Sequence, residues 1–193
     1  MTTKPILPHH PPRVIFEIGC GQPDTCRSFS WMGVNGIRIE MFEPHPQSFH
    51  ALVNSFGHFP NVTIHNVAIF DRNGMLQMTE HGDSTYVSEV VSPMRNGASE
   101  DYLATRMKFQ IPCHTLERYD RGDIDIALID VEGSEWRVIS QMVSRPTLLS
   151  IEVGGENGTY RTPDIDKLTG WLKENRYACC RKDCEDEWYI RQS

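Results

Sequence analysis

Carboxylates set at the ends of apolar runs are the residues of this chain with the most chemical content. The run VIFEIGCG (14–21) has the length and apolar content of a buried strand, and it carries Glu17 ahead of Gly19, Cys20 and Gly21. Glycines at such a strand exit let backbone approach a ligand. A second run, RIEMFEP (38–44), stops on Glu43 and Pro44, and a carboxylate at the tip of the second strand of an α/β unit accepts hydrogen bonds from both ribose hydroxyls. Together they predict an adenosine-bearing cofactor. The glycine spacing selects which one. A dinucleotide fold opens its helix with a third glycine for the pyrophosphate, whereas the third residue after Gly21 is Asp24, an acid that repels phosphate. Glu17 and Asp24 instead attract the cationic amino group of a methionine, so S-adenosylmethionine is expected and NAD is not. Further along, Asp130 and Glu132 lie two apart at the end of DIALIDVEG (125–133), and Glu152 ends LLSIE (148–152). Three carboxylates meeting there would suit proton abstraction or an oxygen-ligated divalent ion.

The elements that must position these groups read as alternating strands and helices. The expected order is a strand from Val14, a helix from Thr25 to Gly33 turning Phe29 and Met32 inward, and a strand from Arg38 to Phe42. A helix opened by Pro46 follows, with Phe49, Leu52, Val53 and Phe56 on one face. NVTIHNVAIF (61–70) reads as the third strand, and an Asp71–Gly74 turn would join it to MLQM (75–78) in a hairpin. From Glu80 to Phe109 the pattern becomes polar and irregular, which predicts a lid hinged at Gly82 and Gly97 that brings Ser84, Thr85 or Tyr86 to the site. Residues 125–130 give a fourth strand, Ser134 caps a helix from Glu135 to Val143, and residues 148–152 give a fifth strand. A helix from Pro163 to Asn175 and a strand pair over 177–181 and 187–191 complete the chain.

Composition bounds the function. The 193 residues suffice for one domain over 14–193, preceded by a proline-rich arm over 1–13 with no periodicity. The net charge of −7, with scattered basic residues, argues against a nucleic-acid footprint and for a small neutral or cationic acceptor. No apolar run approaches the roughly 18 residues of a membrane span and no leader is evident, so a cytoplasmic protein is expected. Its six cysteines suit a reducing compartment. The trio Cys179, Cys180 and Cys184 lacks the second ligand pair of a zinc site.

The segments FEIGCG, FEPHPQSF, NVAIFDRNG, HTLERY and IDIALIDVEGSEWRVI, in that order, resemble the FkbM-type family of class I S-adenosylmethionine-dependent methyltransferases. The likeness implies a Rossmann-like α/β fold: a seven-stranded, mostly parallel sheet with an antiparallel final strand and helices on both faces. It also implies methyl transfer to a hydroxyl of a sugar, polyketide or related metabolite. Gly19, Glu43, Ala68, Asp130 and Glu152 are then expected along one sheet edge, with Ala68 reading adenine through its backbone. Glu17, Gly19, Cys20, Gly21, Glu43, Pro44, Ala68 and Asp130 are the expected cofactor residues, and Asp130, Glu132, His114 and His81 the expected catalytic ones. For deprotonation, a metal-free base is favoured over a magnesium ion held by Asp130, Glu132 and Glu152. Methylation of RNA on the same fold, or a catalytically inactive cofactor-binding subunit, are the competing functions. The chain departs from the family's usual pattern at Glu17, at Cys20 to Gln22, at Leu128 and at Val153-Gly154, positions around the mouth of the site.

Overall fold

A computed structural model describes residues 11–81, 84–90, 105–154, 162–183 and 185–192. Eleven strands are seen among these residues. Seven form one sheet: β1 (Val14–Ile18), β2 (Arg38–Phe42), β3 (Val62–His65), β8 (Ile126–Ile129), β9 (Leu148–Glu152), β10 (Tyr177–Asp183) and β11 (Asp186–Arg191), in the order β10-β11-β9-β8-β1-β2-β3. All neighbours are parallel except β11, which runs antiparallel to both β9 and β10. The chain order reverses between β1 and β8, which makes the crevice beyond their carboxyl ends the place where an open α/β sheet binds ligands.

Every residue of β1 and β9 is buried, because both faces of the sheet are covered. On one face Ile15, Ile39, Met41, Ile126 and Leu128 pack with Leu52 and Phe56 of helix α1 (Pro46–Phe56). On the other, Phe16, Ile18, Ala127, Ile129 and Ile151 pack with Val138 and Ile139 of α2 (Glu135–Ile139) and Leu168 and Leu172 of α3 (Ile165–Glu174). This is the α/β, Rossmann-like arrangement that the sequence predicts.

Several local expectations change. The segment after β1 is not a helix but a loop with one 3-10 turn over Phe29–Trp31, and Phe29 stays 59% exposed while Met32 is buried. On α1 the inward face is Ser48, Leu52 and Phe56, with Val53 exposed. The helix after Ser134 ends at Ile139, and the Ser134 hydroxyl makes no cap hydrogen bond. Residues 61–70 do not form one strand: β3 ends at His65, and β4 (Ala68–Ile69) joins a second sheet with β5 (Gly74–His81), β6 (Ser84–Val87) and β7 (Lys108–His114), ordered β4-β7-β5-β6. The expected hairpin between 61–70 and 75–78 therefore does not form, since β7 lies between, pairing Cys113 with both Ala68 and Gly74. Of the segment expected to be irregular, residues 80–81, 84–87 and 108–109 belong to this sheet, whose own apolar cluster includes Leu76, Met78, Val87 and Ile111. The hinges assigned to Gly82 and Gly97 lie outside the described residues, as does most of the N-terminal arm. Arg13 already belongs to the fold, its carbonyl accepting from Arg38 N at 2.7 Å.

Candidate functional site

Register sets the site. Ile18 pairs with Phe42 and with Ile129, and Ile129 pairs with Ile151, so the next residue on each strand falls on one rung: Glu43, Gly19, Asp130 and Glu152. Asp186 extends the rung by pairing with Glu152. The pairing hydrogen bonds continue past the strand ends, with Gly19 N donating to Phe42 O and Asp130 N to Ile18 O, both at 2.9 Å, and Glu43 N to His65 O at 3.0 Å. Above this rung lies a cavity of about 430 Å³, within the roughly 300–1,000 Å³ of small-molecule sites. Gly19, Cys20, Gly21, Glu43, Pro44, Ala68, Asp130 and Glu132 all line it.

At one end, Glu43 is only 4% exposed. Its Oε2 accepts from Gly21 N at 2.7 Å and its Oε1 from His45 N at 2.8 Å. Each oxygen keeps a lone pair for a further donor. Burial pushes the Glu43 carboxyl up to about 7, against the opposing pull of the His45 and Gly21 amides. Asn66 Nδ2 fixes the strand exit by donating to the carbonyls of Glu43 at 2.9 Å and Pro44 at 3.1 Å. Gly19 is glycine for a reason beyond ligand approach: with φ at +80°, a Cβ there would lie 1.6 Å from the Asp130 carbonyl oxygen. Cys20 turns its thiol onto the carbonyls of Glu17 and Phe42.

Glu17 does not face the cavity as a free charge. It is 1% exposed, and its carboxylate accepts from Arg27 N at 2.7 Å, Ser28 N at 3.0 Å and Cys26 Sγ at 3.3 Å. It anchors the loop after β1, which corrects the expected direct attraction for a methionine amino group.

At the other end, one carboxylate oxygen each of Asp130, Glu132 and Glu152 lie within 4.8 Å of one another. Strand alternation does not create this, because β8 ends at Ile129 and Glu132 enters the site from a turn with a left-handed φ of 52°. The turn is held by Glu135, fully buried, which accepts from Gly133 N at 3.0 Å and from the Thr162 hydroxyl. Two unit charges 4.8 Å apart repel by about 3.5 kcal/mol at an effective dielectric of ~20. Burial first, and then the neighbouring acids, push Glu132 up to about 7, with a Ser84 hydrogen bond opposing. Burial and the other two acids raise Glu152, and burial raises Asp130 despite the nearby Arg27. The buried Oε2 atoms of both Glu132 and Glu152 have no hydrogen-bond partner.

Sequence reasoning missed Arg27, His45, Ser48 and Asp186, all of which line the cavity. Arg27 Nη1 bridges Ser150 Oγ at 3.1 Å and Asp186 Oδ1 at 2.9 Å. His45 caps α1 and meets Glu80 Oε1 through Nε2 at 2.8 Å. The FEPHP spacing, with a histidine directly after the Glu43-Pro44 exit, was the available signal for His45; the β9–β11 pairing that delivers Asp186 had none. His114 does not line the cavity: its Nδ1 meets the Tyr119 hydroxyl at 2.6 Å and its Nε2 the Arg118 guanidinium at 3.1 Å. Burial lowers its pKa. The structure therefore does not bring it together with Asp130 and Glu132 at the cavity. The His81 side chain is outside the described residues. Ser84 and Thr85 line the cavity from β6, while Tyr86 is buried.

The site is thus a cavity over the switch point of a doubly wound sheet, with a buried acid at one end and an acid cluster at the other. The chain matches the Methyltransferase FkbM domain over residues 19–179, and it belongs to that family. No curated protein matches the sequence. Solved structures to which the chain is similar include a candidate rRNA-methylase from Clostridium thermocellum, 8% identical, covering 94% of this chain and 87% of that one with a TM-score of 0.48. Another is precorrin-6y C5,15-methyltransferase from Geobacter metallireducens GS-15, at 17% identity, 93% and 79% coverage and a TM-score of 0.43. A third is the N-methyltransferase NodS from Bradyrhizobium japonicum WM9, at 9% identity, 93% and 86% coverage and a TM-score of 0.44. The chain is a methyltransferase by family. No helix among the described residues is long and apolar enough to cross a membrane.

Proposed function

We propose that the protein uses S-adenosylmethionine to methylate a hydroxyl of a small metabolite. The observation that carries this reading is the single rung on which Glu43 and the Asp130–Glu152 pair are separated by the Gly19 turn, with Glu43, Gly19 and Asp130 lining one cavity. The donor set fits the cofactor. Glu43 is a buried acceptor with unused lone pairs for ribose hydroxyls, Ala68 offers backbone beside the same cavity, and no phosphate-binding amides are needed. Bound there, the cofactor supplies an electrophilic methyl carbon.

The chain's own residues then have two tasks. The walls of the cavity hold the acceptor oxygen in line with that carbon, which lowers the barrier mainly by orientation. Asp130, Glu132 and Glu152 handle the hydroxyl proton, which must leave as the new bond forms. Acidic lining favours a neutral or cationic acceptor over a polyanion. The test is calorimetry with S-adenosylhomocysteine and NAD, followed by transfer of labelled methyl to a metabolite extract with and without nuclease. Binding of the first ligand only, with nuclease-resistant label on small molecules, is the expected result. Nuclease-sensitive label would replace this reading with an RNA acceptor, and tight binding without any transfer would make the chain a cofactor-holding subunit.

A further inference from the structure

The three carboxylates at the end of the cavity are arranged more tightly than proton transfer requires. Their oxygens lie within 4.8 Å of one another. Oxygens sharing one magnesium at roughly 2.0–2.1 Å are at most about 4.2 Å apart, and those sharing one calcium at roughly 2.3–2.6 Å at most about 5.2 Å, so a spacing of up to 4.8 Å lets one hard divalent ion touch all three after a shift of a few tenths of an ångström. Two of the carboxylates also present an orphaned oxygen, Glu132 Oε2 and Glu152 Oε2, and Glu152 is only 7% exposed. A buried carboxylate oxygen without a donor is costly, and it marks a place where a partner belongs. The neighbouring cation does not fill that role. Arg27 Nη1 is committed to Ser150 and Asp186, and its buried Nη2, itself without a partner, makes no hydrogen bond to the three acids.

We propose that Asp130, Glu132 and Glu152 bind a hard divalent cation of the magnesium or manganese class, which receives the acceptor's oxygen. All-oxygen donors with no histidine or thiol select such ions over zinc or copper. Glu152 is held by the β9 register, Asp130 by the Ile18 carbonyl at 2.9 Å and Glu132 by the DVEG turn, so the ligands are positioned before any ion arrives. Asp130 and Glu132 line the cavity, so an ion held there would be within reach of an acceptor bound in it. There the ion lowers the pKa of the acceptor hydroxyl: the O–H proton passes to solvent, the oxygen lone pair forms the bond to the methyl carbon, and the C–S electron pair stays on sulfur. On this proposal the three acids act on the hydroxyl proton through the ion they hold, in place of the direct, metal-free base that the sequence favours. The catalytic role rests on the hydroxyl-methylation reading; the ion site itself does not.

The experiment is a titration of the full chain with manganese(II), read by the loss of the free-ion electron paramagnetic resonance signal. One site is expected in the wild type, displaced by excess magnesium. Glu152→Gln and Asp130→Asn should each weaken it by roughly tenfold or more, since a lost ligand costs at least as much as a lost supporting group. S-adenosylhomocysteine calorimetry on the same samples reports folding and the cofactor site separately. No manganese binding by wild type that binds S-adenosylhomocysteine overturns the ion site while leaving methyl transfer standing, and equal manganese affinity in a folded Glu152→Gln protein overturns it too. Manganese bound at this site without S-adenosylhomocysteine binding would retain the ion and defeat the functional reading. If neither substitution folds, the wild-type stoichiometry and magnesium displacement decide.

Discussion

Replacing Glu43 with glutamine probes the cofactor end of the site through two trends of opposite sign. In the folded protein burial raises the Glu43 carboxyl to about 7 from an ordinary 4.5. The native state therefore holds a proton that the unfolded chain has released, so this group's contribution to stability is fully present below pH 4.5 and is lost as pH rises through 7. The loss amounts to about 3 kcal/mol, from roughly two and a half pKa units at 1.36 kcal/mol each. Glutamine cannot ionise, so that part of the pH slope should vanish from urea denaturation curves recorded between pH 4.5 and 8. Glutamine also sets an NH₂ against one of the two amides, Gly21 N or His45 N, that the carboxylate satisfies. That mismatch costs about 1–3 kcal/mol and should be visible at low pH, where the wild type is already neutral. At pH 8 the two effects nearly cancel in stability. They do not cancel in binding. The ionised carboxylate is the better acceptor for ribose hydroxyls, so wild-type affinity for S-adenosylhomocysteine should climb from pH 6 to a plateau above 7. Glu43→Gln should bind roughly tenfold more weakly at pH 8 and show no such climb, and Glu43→Ala up to about a hundredfold more weakly. Wild-type affinity and pH profile in a folded variant would show that the ribose site lies elsewhere.

Gly19→Ala should destabilise the protein by more than about 2 kcal/mol, because its Cβ meets the Asp130 carbonyl at a left-handed φ; an unchanged urea midpoint would refute this packing. Glu17→Gln should cost about 1–3 kcal/mol in stability by weakening the anchor of loop 26–28, with S-adenosylhomocysteine affinity changed by less than about threefold. A large affinity loss at unchanged stability would return Glu17 to the methionine site. Asp130→Asn should lower turnover by roughly a hundredfold or more while its melting temperature stays near wild type, and an equal loss in both would make Asp130 a structural group.

The strands that carry the site were legible because buried parallel strands are short apolar runs, and VIFEI, RIEMF, IALI and LLSIE look like nothing else. Their terminal acids and glycines were legible for the same reason: a polar residue at the end of such a run must serve the exit. Gly19, Glu43, Ala68, Asp130 and Glu152 were expected along one edge from the family likeness, and the structure puts all but Ala68 on one rung; Ala68 belongs to β4 of the second sheet and lines the same cavity from there. Several residues' roles were not legible. Glu17 and Glu43 are both acids on apolar runs, yet one is consumed by loop amides and the other opens to the cavity, a difference set by where residues 26–28 fold back. The expected hairpin after residue 70 failed because a strand some thirty residues later inserted between its two arms. Local turn propensity competes poorly with a ladder of long-range backbone hydrogen bonds, and that choice is invisible in a local window. His114 has a suggestive position in the chain, but its ring is held by Tyr119 and Arg118 outside the cavity lining. The sequence alone determined the sheet, the glycine turn and the identity of the acids at its edge, because hydrophobic period and residue chemistry are local properties. Only the tertiary structure decided which acids converge, which are satisfied and which are left with bare oxygens, because burial and hydrogen-bond partners come from segments far apart in the chain.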